Sequence, residues 1–271
     1  MVALIPAAIE ACLARADPSW HCALQEALAA VAQADPGYFP RLLQSDYLPT
    51  DNRLLAAFAQ PLDSVRYVLV GEGPYPRAAS ATGVCFMDGA VDALWSSSGL
   101  AKSVNRATSL RNFIKMLLVA EGSLRPDQTS GTAMAHVGQA ALASGSPRIQ
   151  TLPQLQQNLI DQGFLLLNAS LVFRPDTAPA KDALAWRPFF DTIVAVLSAR
   201  ENPPVMILWG KIAAALVSSG PSINLPRIVA EHPYNLSFIV NDAMHALFGP
   251  MQLLSARAEA IAARRCHGDT H

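Results

Sequence analysis

The chain has 271 residues, 51% hydrophobic and 15% charged, with a formal net charge of −1. This composition excludes a disordered chain and is enough for one large α/β domain or two small ones. It also excludes a globally basic nucleic-acid binder, so any DNA contact must come from a local patch.

Residues 3–33 are Ala/Leu-rich with helical spacing, interrupted at Pro18. Pro36-Gly37 punctuates the chain, and the stretch to Gln60 reads as helix and loop, so residues 1–60 are expected to form a helical N-terminal part. Val65 to Val70 is a continuous apolar run that stops at Gly71-Glu72-Gly73 and turns on Pro74-Tyr75-Pro76. Ser109 to Ala120 (SLRNFIKMLLVA) predicts an amphipathic helix with Ser109 as its N-cap. Residues 121–150 are rich in Gly, Ser, Thr and Ala and read as a mobile loop with short helical pieces. Phe164 to Leu167 is a second apolar run, ending at Asn168, and a helix follows over 186–200. Val205 to Trp209 is a third run, ending at Gly210, before a helical stretch over 211–218. Pro226 to Ala230 is a short fourth run that ends at Glu231-His232. A final helix is expected over 242–264, and the polar tail 265–271 is expected to be disordered.

Continuous apolar strands alternating with helices imply a parallel sheet covered on both faces. The predicted fold class is therefore α/β, a three-layer α/β/α arrangement around a central four-stranded parallel sheet. No repeat or low-complexity linker divides it, so residues 1–271 read as a single domain. The four cysteines, Cys12, Cys22, Cys85 and Cys266, show no C-x-x-C spacing, which leaves zinc and iron–sulfur readings without support. No apolar run is long enough for a membrane span, and MVALIPAAIE lacks the basic start of a secretory signal. The expectation is a cytoplasmic monomer with no metal, no cofactor and no membrane partner.

In open parallel sheets, ligands bind outside the carboxyl ends of the strands. Gly71 to Tyr75, Asn168, Gly210-Lys211 and His232 stand at those ends. The Gly71-x-Gly73 pair is not a dinucleotide fingerprint, because Pro76 stands where the third glycine is required. Asn168 reads either as an Asx turn or as an amide that pairs with a donor–acceptor edge, as Asn does on nucleobases. His232 reads either as a loop histidine or as a neutral imidazole that donates to a developing oxyanion. Phe86 is either core or a stacking plate for a flat ring. Lys102, Arg106, Arg111 and Lys115 bracket NRATSLRN, which is either a solvated face or a phosphate-gripping stretch assisted by Ser109 and a helix N-terminus.

Taken in order, these segments resemble the uracil-DNA glycosylase family, from about Trp20 to Leu254. GEGPYP resembles the water-activating loop GQDPYH, and GVCF (Gly83 to Phe86) the strand with the uracil-stacking Phe. SLRNFIKML resembles the helix after the proline/serine loop, and LLLNASLVF the strand whose Asn reads uracil. WRPFFDTI and ILWGKIA resemble the next helix and strand, and HPYNLS the motif HPSPLS. The resemblance implies a DNA repair glycosylase that flips uracil out of DNA and hydrolyses its N-glycosidic bond, with uracil-containing DNA as its partner. It implies that Gly71, Glu72, Gly73, Tyr75, Phe86 and Asn168 hold the base. Tyr75 would exclude the thymine methyl, Phe86 would stack on the ring, and Asn168 would pair with its Watson–Crick edge. His232 would stabilise the departing uracil anion. Leu236 would push into the duplex, while Ser109, Gly210 and Ser237, with Lys102, Arg106, Arg111 and Lys211, would contact phosphates.

The departures from the family pattern are equally specific. Gly73 stands where the family has the aspartate that activates water, and Pro76 replaces that loop's histidine. Glu72 replaces Gln, Lys211 stands in a phosphate loop that elsewhere reads Gly-Ser, and Tyr234-Asn235 replace Ser-Pro. Glu72 is the local carboxylate, although alternation along an extended segment points it away from Gly73. The expectation is a glycosylase with altered or reduced water activation. The alternatives are a catalytically impaired relative that binds DNA or a damaged base, and an enzyme for another lesion such as a deaminated purine.

Overall fold

The computed structural model describes residues 5–210 and 225–256. They form two compact units, one drawn from Met1–Gly89 and Gly163–Val229, the other from Ala90–Gln162 and Ala230–His271.

The first unit opens with short helix α1 (Ala7–Glu10), then α2 (His21–Ala34) and α3 (Tyr38–Leu43). Ahead of α2, Asp17 accepts from the Ser19 N–H at 2.9 Å and starts a 3-10 turn over Pro18–Trp20. In α2 the apolar residues Ala23, Leu24, Ala27, Leu28, Val31 and Ala32 recur at helical spacing, and all are buried. That stripe packs on α9 (Arg187–Ser198) through Phe189, Phe190, Ile193, Val194 and Leu197.

Strands β1 (Tyr67–Gly71), β4 (Phe164–Asn168), β5 (Val205–Trp209) and β6 (Arg227–Ala230) form the expected four-stranded parallel sheet, flanked by helices, in the order β4-β1-β5-β6. β1 pairs with β4 from Tyr67–Phe164 to Gly71–Asn168, and with β5 from Tyr67–Val205 to Val70–Leu208. β6 is an edge strand, which explains why its apolar run leaves Val229 58% exposed. Before α9, α8 (Pro179–Ala185) carries Asp182. This buried carboxylate accepts from Tyr38 Oη at 2.8 Å and from both Arg174 Nε (3.1 Å) and a terminal guanidinium nitrogen (2.7 Å). The chain leaves β1 toward β4 on one side, while β5 is followed by β6 on the other. The order reverses between β1 and β5, and such switch points at strand carboxyl ends are where open sheets bind ligands.

The second unit contains the two-stranded antiparallel pair β2 (Trp95–Ser96) and β3 (Gly99–Leu100), helices α4 (Lys102–Arg106) and α5 (Thr108–Ala120), then α6 (Gly131–Leu142), α7 (Leu152–Asp161) and α10 (Asp242–Phe248).

Several sequence expectations are corrected. Residues 121–150 contain the full helix α6, not a loop; Gly138 gives this helix a close seat on β2 and β3, since a Cβ there would lie 2.2 Å from the Ser96 carbonyl oxygen. Ser109 is not an N-cap: α5 starts at Thr108, Ala107 holds the cap position, and no side chain caps it. Gly83–Phe86 is a turn rather than a strand. The last helix stops at Phe248, where Gly249-Pro250 begins a 3-10 turn. The stretch 211–218 and the tail 265–271 lie outside the described residues. No helix among the described residues is long and apolar enough to cross a membrane.

Candidate active site

The predicted residues fall into two groups, one in each unit. In the first unit, β1 and β4 end side by side with Gly71 opposite Asn168. Pairing continues past the strands: the Ala169 N–H donates to the Gly71 carbonyl (2.8 Å) and the Ser170 N–H to the Glu72 carbonyl (3.0 Å). Gly71 is required here, because a Cβ would lie 2.7 Å from Asn168 Oδ1 and 3.1 Å from Cys85 Sγ. Asn168 is 4% exposed, yet none of the hydrogen bonds among the described residues ends on its carboxamide. Its amide atoms are not among the fully buried side-chain atoms that lack a partner, so they reach solvent, where a ligand edge could pair with them.

The loop after β1 carries exposed Glu72 and Pro76, with Gly73 and Tyr75 half-buried. Prolines on both sides of Tyr75 stiffen the backbone that carries its ring. Burial pushes the Tyr75 phenol up to about 12; the charges of Asp88 and Cys85 add to the rise and Arg77 opposes it. Asp88 is itself buried and pairs with exposed Arg77 at 3.5 Å. Gly73 is different from Gly71. A Cβ there would meet the Ser170 carbonyl oxygen at 3.6 Å, Ser170 Cβ at 3.7 Å and the Val172 carbonyl oxygen at 4.0 Å, all ordinary contacts. Packing does not demand a glycine at this position.

Phe86 is half-buried and has φ +67°, a left-handed backbone that costs a bulky residue about 1–3 kcal/mol. Its turn is anchored by Gly83, where a Cβ would lie 1.9 Å from the Arg53 carbonyl oxygen, and by the Cys85 N–H donating to Leu166 at 3.0 Å. The Phe86 ring meets Trp209, the last residue of β5, edge to face at 5.4 Å. Gly210 follows with φ +66°. Burial pushes the Cys85 thiol up to about 12, so it is a neutral packing group.

In the second unit, the backbone N–H of Tyr234 donates to His232 Nδ1 at 3.1 Å. With Nδ1 an acceptor, the neutral ring carries its proton on Nε2. The loop curls so that the Asn235 N–H meets the His232 carbonyl at 2.9 Å. Pro233, Phe238 and Ile239 are buried on either side of the tip, whereas Tyr234 and Leu236 are 68% and 69% exposed, and Ser237 is exposed. Below the tip lies Asn112 of α5, fully buried, whose Nδ2 donates to the carbonyls of Pro233 (2.7 Å), Tyr234 (3.2 Å) and Asn235 (3.5 Å).

The basic residues of this unit differ among themselves. Lys102 and Arg106 are exposed. Arg111 is half-buried, with Nε donating to Asn112 Oδ1 (3.3 Å) and a terminal nitrogen donating to the Asn105 carbonyl (3.2 Å). Burial and the neighbouring Arg111 charge lower the Lys115 pKa. Ser109 is half-buried in the first turn of α5, and Lys211 lies outside the described residues.

The sequence reading missed Asn112, Cys85, Asp88 and Trp209. Only the placement of Trp209 at the end of an apolar run was a usable signal. A cavity of about 600 Å³ in the first unit is lined by Asp46, Tyr47, Asp51, Pro76 and Phe173 among others. Its acidic lining has the wrong sign for DNA phosphate, and it holds none of the residues predicted to contact a base. Among the described residues no cluster of His, Cys, Asp and Glu could hold a metal ion.

No protein-family profile matches the chain. A uracil-DNA glycosylase from Thermobifida fusca (strain YX) is 29% identical over 213 residues, 78% of this chain and 74% of the relative. One from Mycobacterium avium (strain 104) is 28% identical over 228 residues, 82% of each. The wild-type UNG crystal structure from Nitratifractor salsuginis aligns with a TM-score of 0.82 at 39% identity, covering 92% of this chain and 97% of that one. At that identity and near-complete mutual coverage, the chain belongs to the uracil-DNA glycosylase family.

Proposed function

We propose that this protein hydrolyses the N-glycosidic bond of uracil in DNA after base flipping, with weakened activation of the attacking water. The observation that carries the reading is the hydrogen bond from the Tyr234 N–H to His232 Nδ1, which places the proton of the neutral ring on Nε2. As the bond between C1′ and uracil N1 breaks, its electron pair stays with the base and charge builds on the uracil oxygen. A neutral imidazole donor stabilises such a charge without first losing a proton of its own. Asn168, with its unpaired carboxamide, supplies both a donor and an acceptor to the uracil edge. Phe86 stacks on the ring and Tyr75 blocks a methyl at C5. Gly71, Glu72 and Gly73 border the base. Lys102, Arg106, Ser109, Arg111, Gly210, Lys211 and Ser237 contact phosphates, and Leu236 fills the space the base leaves. In this reading the chain works as a single, monomeric domain.

Water adds its oxygen to C1′ and gives up a proton. The Gly73 position offers no carboxylate to take it. The Ser170 and Val172 carbonyl oxygens near Gly73 can orient a water but not accept its proton. Glu72 is exposed on this loop, so its side chain is the carboxylate to test. In an oxocarbenium-like reaction the attack is late, so a missing base slows the enzyme without abolishing it.

The test is uracil release from single-stranded uracil-containing DNA at stoichiometric enzyme. The wild-type chain should release base, and His232→Ala should lose about 10²–10³-fold, the usual worth of an oxyanion donor. Release by the wild type no faster than by His232→Ala would refute the reading. Tight binding without release would identify a DNA-binding relative that has lost its chemistry.

A further inference from the structure

We propose that Asn112 is a positioning residue of this site, holding His232 in its productive orientation through the peptide unit between Pro233 and Tyr234. The inference rests on the role given to His232 above.

The argument is a chain of three groups. Asn112 Nδ2 donates to the Pro233 carbonyl at 2.7 Å. That carbonyl and the Tyr234 N–H are the two ends of one planar peptide. The same N–H donates to His232 Nδ1 at 3.1 Å. Rotating the plane to release one end releases the other, so the carboxamide on α5 fixes both the tilt of the imidazole and the nitrogen that carries its proton. Polarisation along such a chain strengthens each link. The orientation of the carboxamide is settled from its other side, where Oδ1 accepts from Arg111 Nε at 3.3 Å.

The remaining amide proton serves the next carbonyls, at 3.2 Å on Tyr234 and 3.5 Å on Asn235. Three consecutive carbonyls turned toward one buried amide define a curl that cannot open into water without breaking its bonds. Tyr234 and Leu236 therefore stand out from a stiff tip instead of collapsing onto the surface. A residue needed only for folding would not have to bond the very peptide whose N–H holds the imidazole.

The experiment is a double-mutant cycle read by single-turnover uracil release from single-stranded DNA, using wild type, Asn112→Asp, His232→Ala and the double variant. Asn112→Asp keeps size and shape but turns a carboxylate oxygen toward the Pro233 carbonyl. It should slow release by about 100-fold, the cost of misplacing a catalytic group by an ångström. Added to His232→Ala it should slow release no further, because the two act as one unit. An equal loss in both backgrounds, or a rate within about twofold of wild type, would overturn the proposal. Should Asn112→Asp fail to fold, Asn112→Ser retains one donor and enters the same cycle with a smaller loss. Nitrogen-15 shifts of the His232 ring give a readout independent of activity. The wild type should show Nδ1 unprotonated, and the Asn112 variants a mixture of tautomers; an unchanged tautomer would also overturn the proposal. A wild type that releases no uracil, with variants that still mix tautomers, would refute the glycosylase reading and leave the positioning role standing.

Discussion

Gly73 and Gly71 lie on one loop and are glycines for different reasons. At Gly71 a Cβ would collide with Asn168, while at Gly73 it would make ordinary contacts only. If the proposed reading holds, Gly73→Asp should fold and supply a general base, raising single-turnover release by about 10²–10⁴-fold. A rate unchanged in a folded variant would mean that water activation is not what the site lacks. At Tyr75 the phenol is pushed up to about 12 from its usual 10, so the neutral form favours the folded state. Its contribution is complete below pH 10 and is lost between about pH 10 and 12, as the unfolded chain ionises first. Denaturant titrations across that range should show a flatter decline for Tyr75→Phe than for wild type. The position of Asn168 at the end of β4, and of Tyr75 in the loop after β1, was legible in the sequence because apolar runs show where strands stop. Asn112 was not, because its partners are the carbonyls of residues 233–235 and only tertiary folding brings them together.

Among the elements, strands β1, β4 and β5 were legible as uninterrupted apolar runs, since strands buried on both faces leave no polar alternation. Helix α6 was not, because Gly131, Gly138 and the Ala/Ser/Thr composition around them mimic a loop. Gly138 lies where the helix meets the Ser96 and Gly99 carbonyl oxygens, at 2.2 and 2.7 Å from a would-be Cβ. Gly138→Ala should therefore destabilise the protein by about 1–3 kcal/mol, although alanine is the better helix former. Thermal melts would check this, and an unchanged or raised Tm would mean that the helix has room to move away. Helix α7 did carry a signal that went unread: Thr151 and Gln154 form a reciprocal capping box at its start.

For the whole molecule, a net charge of −1 leaves DNA affinity to a few exposed cations. Lys102 and Arg106 are exposed, whereas Arg111 is partly occupied by Asn112 and Asn105. Replacing Lys102 or Arg106 with Ala should each lower the slope of log affinity against log salt on single-stranded DNA by about 0.7. An unchanged slope would remove that residue from the DNA contact. The first unit is also discontinuous in sequence: β1 is complete at Gly71, while its neighbour β4 does not begin until Phe164. On a ribosome adding about 5–20 residues per second, the apolar segment Val68–Val70 emerges and waits roughly 5–20 s for its partner to be made. During that interval the nascent chain exposes an unpaired strand edge, so its vulnerability to aggregation and to chaperone capture is set by the order in which translation delivers the strands.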